Sequence, residues 1–280
     1  MKMIKILTLI VVLGLLMSCT FSVNVPKVRT GVTQSLEINE NATSSPVMLK
    51  IEMGAGKLNL GGGASNTVEG TVLYNVDAWV PEIENDSNGI TLSQTNTSTV
   101  GLPDGQIINE WDLKLGSAPI NLSIASGAYE GSLDLSGISL TRLSIADGAS
   151  KSTVTFNTPN PVEMELLEYR TGASEVNLIG LGNAAVDDVV FTGGAGSYEL
   201  DFSGESGNDI NVRISAGMSD ITLTIPANMQ TTITVNGGLS NVNASGTWTI
   251  NGNTYVSGTT GPTIRITVDM AVGNLSLIKK

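Results

Sequence analysis

Leu122-Ser123-Ile124-Ala125-Ser126-Gly127-Ala128 is one of eight variants of a single phrase, and its recurrence decides the fold. The phrase returns as Leu143-Ser144-Ile145-Ala146-Asp147-Gly148-Ala149 and as Leu167-Glu168-Tyr169-Arg170-Thr171-Gly172-Ala173. Further copies run from Val189 to Gly194-Ala195, from Val212 to Gly217-Met218 and from Ile233 to Gly238-Leu239. An earlier copy is Leu49 to Gly54-Ala55. The last, Ile266 to Ala271-Val272, has alanine in the glycine place. Successive turn glycines from Gly127 to Gly238 are 21, 24, 22, 23 and 21 residues apart. Apolar residues alternate before each glycine and resume four to eight positions after it, as in Val176/Leu178, Ile221/Leu223/Ile225 and Leu275/Leu277. Alternation with period two buries one face of a strand. Glycine recurs where the chain must turn with positive φ or pack closely at a corner.

Short strands and corners repeating at this interval predict an all-β chain. The expected fold is a β-solenoid of about eight short coils, period about 21–24 residues, with an irregular N-terminal β cap. No single coil buries its own apolar side, so stacking must supply the core. A β-sandwich with evenly spaced strands is the alternative. The interval from Gly238 to Ala271 is 33 residues, and the excess holds Trp248 to Tyr255 around Asn251-Gly252. That pattern predicts a hairpin inserted near 246–258. Lys279-Lys280 would blunt an exposed edge strand. Residues 71–116 do not follow the repeat and are expected to cap or wrap the first coils. The division expected is therefore a signal peptide at 1–18, a flexible tether at 19–45, the cap and first coil at 46–120, and the solenoid at 121–280.

The chain opens with Lys2 and Lys5, then an aliphatic run from Ile6 to Leu16. That run is too short to span a bilayer, which takes roughly 20 residues, and reads as a secretory signal. It ends in Leu16-Met17-Ser18-Cys19, which resembles the lipobox of bacterial lipoproteins. The single cysteine of the sequence stands where acylation requires one, so Cys19 is the expected lipid anchor. Several acyl chains on one residue fit the rule that firm anchoring takes more than one.

The formal charge of −12 becomes −14 once Lys2 and Lys5 are removed. That balance opposes nucleic acid and adsorption to anionic lipid. The sequence has no histidine, which excludes Ser-His-Asp and Cys-His chemistry and the usual zinc sites. No cofactor and no metal site are expected.

Gly54-Ala55-Gly56-Lys57-Leu58-Asn59-Leu60, Tyr74-Asn75, Pro81 and Trp111-Asp112-Leu113-Lys114-Leu115, followed by the Gly-Ala coils, resemble the bacterial toast-rack domains. These are β-solenoids also found at the C-terminus of membrane regulators of the cell-wall-antibiotic response. The resemblance spans roughly residues 46–280. It implies an envelope or surface role, and it supplies no catalytic residues. Regulators of this kind restrain a sensor kinase partly through transmembrane helices, which the sequence does not show.

Gly180-Leu181-Gly182 mimics a dinucleotide fingerprint but lacks the long helix that motif opens. Gly193-Gly194-Ala195-Gly196-Ser197-Tyr198 resembles a calcium-binding nonapeptide, yet Tyr198 stands where that repeat needs Asp. Asp187, Asp188, Asp201, Glu205, Asp209 and Asp220 could gather on one edge and bind Ca²⁺ weakly. Glu163, Glu165 and Glu168 could supply a carboxylate pair for glycoside cleavage, or simply a charged exterior. Trp79, Trp111 and Trp248 fit cap and core better than sugar platforms.

These observations predict a non-enzymatic, adhesin-like scaffold on the cell envelope, held to a membrane through its lipid anchor, with a protein or polysaccharide partner. An envelope-stress component that binds a membrane sensor is the second reading, and a carbohydrate-active enzyme the third.

Overall fold

The computed structural model describes residues 27–39, 46–94, 105–205, 207–238 and 241–280. Seven long strands carry the repeat: β2 (Val47–Gly62), β7 (Ile120–Asp134), β8 (Leu140–Thr155), β9 (Met164–Ile179), β10 (Val186–Asp201), β11 (Ile210–Ile225) and β16 (Thr263–Lys279). They stack in parallel in that order. Each strand has two arms, one before and one after the corner residue, which is glycine in all but β16.

Register sets the core. Leu49, Leu122, Leu143, Leu167, Val189, Val212 and Ile266 form one inward column of the first arm. The next inward column places Tyr169 and Phe191 between Ile145 and Ile214, and their rings stack at 5.8 Å between centroids. In the second arm Leu133, Val154, Leu178, Leu200, Leu223 and Leu277 align, all buried. A stacked pair of buried aliphatic side chains contributes on the order of 1.5–3 kcal/mol per residue, so the columns hold the layers together.

All eight corner positions fall into one column. A Cβ on Gly127 would lie 2.6 Å from the Gly54 carbonyl oxygen, and one on Gly148 2.7 Å from that of Gly127. The same approach is 2.4 Å from Gly172 to Gly148, 2.3 Å from Gly194 to Gly172 and 2.5 Å from Gly217 to Gly194. None of these corner glycines has positive φ. Close approach of the layer beneath, not a left-handed backbone, is what requires glycine here.

The stack departs from sequence order at its far end. β12 (Gln230–Gly237) and β13 (Asn241–Ser245) make a split outer coil, and β16 lies between them and β11. Stacking of each coil on its predecessor therefore ends at β11, and the last two coils exchange places. β16 is apolar through both arms, with Ile264, Ile266, Val268, Met270, Leu275 and Leu277 buried, so it gains most from neighbours on both sides. The 230–245 segment is richer in Thr and Asn and takes the outside. The hairpin of β14 (Thr249–Asn251) and β15 (Thr254–Ser257) extends β12 antiparallel and carries the chain back to the inner slot. Lys279 therefore guards no edge; its ammonium donates to the Met229 carbonyl at 2.6 Å and to Thr231 Oγ1 at 3.0 Å.

The near end is also split. β5 (Gly89–Ser93) covers the first arm of β2 and β6 (Asn109–Leu115) the second, both parallel to it. β4 (Glu82–Asp86) then pairs antiparallel with β5, and β3 (Val68–Val76) with β6. β1 (Val28–Ile38) pairs antiparallel with β3. The tether expected over 19–45 is thus corrected for these residues. Leu36 and Ile38 are buried, and the backbone of residues 32–38 pairs in unbroken register. Thr, Gln and Ser elsewhere in β1 had concealed the alternation. Trp111 is fully buried, and its indole N–H donates to Asn109 Oδ1 at 3.0 Å. Trp79 and Trp248 are half-buried.

Candidate functional site

Two features of the stack carry chemistry: a polar nest inside the corner and a polar face outside it. The nest centres on Asp147. Alternation places this residue on the inward side with Leu143 and Ile145, where register neighbours are Ser126 and Thr171. Tyr169 donates its hydroxyl to Asp147 Oδ2 at 2.8 Å. Thr171 Oγ1 donates to Asp147 Oδ1, and Ser174 Oγ donates to the same oxygen at 3.3 Å. Tyr129 and Ser152 hydroxyls meet at 3.2 Å, and Tyr129 lies 3.4 Å from Tyr169. Glycine makes room for the rings: a Cβ on Gly193 would be 2.5 Å from Tyr198 Cε2, and one on Gly131 2.4 Å from Tyr129 Cε2.

Burial pushes the phenols of Tyr129, Tyr169 and Tyr198 upward, and the Asp147 carboxylate adds to this at all three. Close contact with Tyr129 raises Tyr169 further. The phenols therefore hold their protons more firmly than free tyrosine does. Tyr198 itself finds no hydrogen-bond partner among the described residues. The nest is a tie between β8 and β9, with three donors converging on one carboxylate. Sequence reading passed over Asp147 because Asp-Gly looks like turn chemistry. Its parity with Leu143 and Ile145 was the available signal.

The carboxylates singled out from sequence are dispersed. Glu165 pairs with Arg142 at 3.7 Å and Glu168 with Arg170 at 2.5 Å, while Glu163 is exposed just before β9. Among the described residues no three acidic side chains form a metal-binding group. Asp209 instead accepts the Thr263 N–H at 2.8 Å, which, with Arg265, lowers its carboxyl below the ordinary value. Asp201 faces Lys280 at 4.0 Å, and Asp220 accepts from the Asn274 amide at 2.7 Å. Gly180–Ala185 holds only a short 3₁₀ turn, Leu181–Ala184, with no phosphate-binding helix behind it. Cys19 lies outside the described residues, as does the signal segment.

The outer face of the second arm is regular. One column runs Glu110, Lys57, Glu130, Lys151, Glu175, alternating in sign from layer to layer. Lys57 approaches Glu130 at 3.8 Å and Lys151 approaches Glu175 at 3.3 Å. Layers about 4.8 Å apart would make like charges repel, so alternation removes a penalty more than it adds strength. The adjacent outward column is Asn59, Ser132, Thr153, Asn177, Glu199 and Thr222. Two open hollows, about 440 Å³ beside Lys50, Glu84 and Asp86 and about 390 Å³ beside Gly62, Gly116 and Asp134, bring no such columns together. Among the described residues no helix is long and apolar enough to cross a membrane.

A solved structure of a candidate cell adhesion protein from Clostridium sporogenes ATCC 15579 is 20% identical, with 89% of this chain and 100% of that chain covered and a TM-score of 0.49. A candidate adhesin from Bacteroides fragilis NCTC 9343 is 10% identical, with 90% and 99% covered and a TM-score of 0.39. No curated protein matches the sequence. The profile of Toast_rack_N, described as the N-terminal domain of toast_rack, DUF2154, matches residues 26–166. That match takes in the cap, the split first layer, β2, β7, β8 and the beginning of β9, and with it the chain belongs to the Toast_rack_N family.

Proposed function

We propose that this protein is a non-enzymatic interaction module of the bacterial envelope, anchored by lipid on Cys19 and adhesin-like in use. The observation that carries this reading is the outer face of the second arm. It repeats one polar side chain per layer in two adjacent columns over at least five layers. A flat, rigid, periodic surface suits an extended partner, protein or polysaccharide, that can bond to several layers at once. The hydroxyls of the corner nest are committed to one another and to Asp147, which favours a structural over a catalytic role for them.

The test is binding of the purified protein to arrays of envelope and host glycans and surface proteins. Asn59→Lys combined with Asn177→Lys, both on the exposed side, should weaken binding about tenfold or more while leaving the fold intact. Binding indifferent to that face, or turnover of a polysaccharide that Glu163→Gln abolishes, would refute the proposal. Cys19→Ser should release the protein from membranes. Membership of the toast_rack family supports a second reading, restraint of a membrane sensor. Co-purification of a sensor kinase with the lipidated protein would favour it.

A further inference from the structure

The two ends of the stack differ in where the chain can be anchored. β1 is the outermost strand of the N-terminal end, and only residues 20–27 separate it from Cys19. Fully extended, that connection spans roughly 30 Å. Thirteen strands lie on the path from β1 to β14, which at about 4.8 Å per layer makes the stack roughly 55–60 Å long. An anchor on Cys19 therefore reaches the N-terminal cap but not the β14–β15 hairpin, whose Ile250 is 55% exposed.

Among the described residues, the cap carries apolar side chains that no further layer covers. Val80 is 44% exposed and Ile83 41%, with half-buried Trp79 beside them. Ile83 faces Leu92, which faces Ile51, three residues before the corner Gly54. Val32, 38% exposed, faces Tyr74, which faces Asn109; Asn109 in turn donates to the Ala55 carbonyl at 2.7 Å. Register thus gathers Val32, Ile83 and the 77–81 crossing at one corner of the terminal layer. The nearby charges are Lys27, Glu82, Glu84 and the pair Arg29–Asp77 at 2.8 Å. This mixed rim with a Trp and aliphatic centre matches the interfacial zone of a bilayer better than an anionic surface.

We propose that the N-terminal cap rests on the membrane, placing Trp79, Val80 and Ile83 in the headgroup region, while the Ile250 end stands away from it. The inference rests on the lipid-anchor reading above. It makes the outer face of the second arm run outward from the membrane rather than along it.

The test uses the full lipidated chain in phosphatidylcholine vesicles, with a spin label on Ile83→Cys or on Ile250→Cys. Acylation of Cys19 leaves the introduced thiol as the single labelling site. Collision of the Ile83 label with a water-soluble nickel chelate should fall at least about threefold on vesicles relative to the same label in Cys19→Ser protein free in solution, whereas the Ile250 label should not change. Equal shielding at both labels, or none at Ile83 while the protein still co-sediments with vesicles, overturns the orientation alone. Failure of the Cys19 protein to co-sediment overturns anchor and orientation together. An Ile83 label already shielded in the Cys19→Ser protein, in a particle of twice the mass, would assign the patch to a second copy instead and overturn the proposal.

Discussion

Replacing Gly194 by alanine tests the stacking directly. Its Cβ would stand 2.3 Å from the Gly172 carbonyl oxygen, in the middle of the corner column. That separation must widen by roughly 1 Å to reach ordinary contact, against a parallel ladder that holds the layers about 4.8 Å apart. Gly194 has no positive φ, so the penalty is contact and not backbone strain. Over-filling a packed site costs about 1–3 kcal/mol. The lower part of that range applies where layers can yield, since Ala271 occupies the equivalent place near the far end. The control is Gly54→Ala, whose Cβ meets nothing within 4 Å because the layer beneath it, β5 with β6, is split at the corner. That change should be neutral, or stabilising by about 0.4–1 kcal/mol through the unfolded chain. Urea unfolding followed by two probes should show a lowered midpoint for Gly194→Ala at unchanged slope, with a melting temperature lower by about 2–10 °C. Equal stability of Gly194→Ala and the parent protein, or equal loss at Gly54→Ala, would refute the close-packed corner.

The nest separates two tyrosines that look alike in the sequence. Tyr169→Phe removes a donor from Asp147 and should destabilise by about 1–3 kcal/mol, while Tyr198→Phe, which deletes a hydroxyl with no partner among the described residues, should be within about 0.5 kcal/mol of the parent or slightly more stable in the same urea assay. Alkaline pH gives a further check. The raised folded-state values of Tyr129, Tyr169 and Tyr198 contribute stability that is complete below pH 10.0 and is lost as pH rises beyond it, because the unfolded chain releases those protons first. Absorbance at the phenolate band should show these three ionising only with unfolding; titration in the native state would contradict their burial.

Much of the architecture was readable because its causes are local. The corners from Gly127 to Gly217 leave no room for a side chain, and each arm must alternate, so both leave marks in the order of residues. The column from Gly54 to Gly217 and the buried Leu178, Leu200 and Leu223 follow from those marks. The position of β16 between β11 and β12 was hidden, since any two parallel coils of similar pattern can pair and only their relative burial decides. β1 was hidden because Val28 and Val32 stand four residues apart among polar neighbours, and only Leu36 and Ile38 alternate closely. Asp147 was legible by parity yet masked by its place before Gly148, where a carboxylate suggests a turn. Lys279 illustrates the opposite error: a charge read as an edge guard is folded back onto Met229 because its strand is interior.

The placement of β16 also constrains how the molecule can be assembled. Growth coil by coil, in step with emergence of the chain, serves the layers through β11. Beyond that point the segment 230–245 has no permanent neighbour until residues 263–279 arrive and slide in beneath it. The far end therefore closes in a single late event, and a protease that clips the 246–262 link before then would leave β11 with a bare edge and the outer coil without a seat.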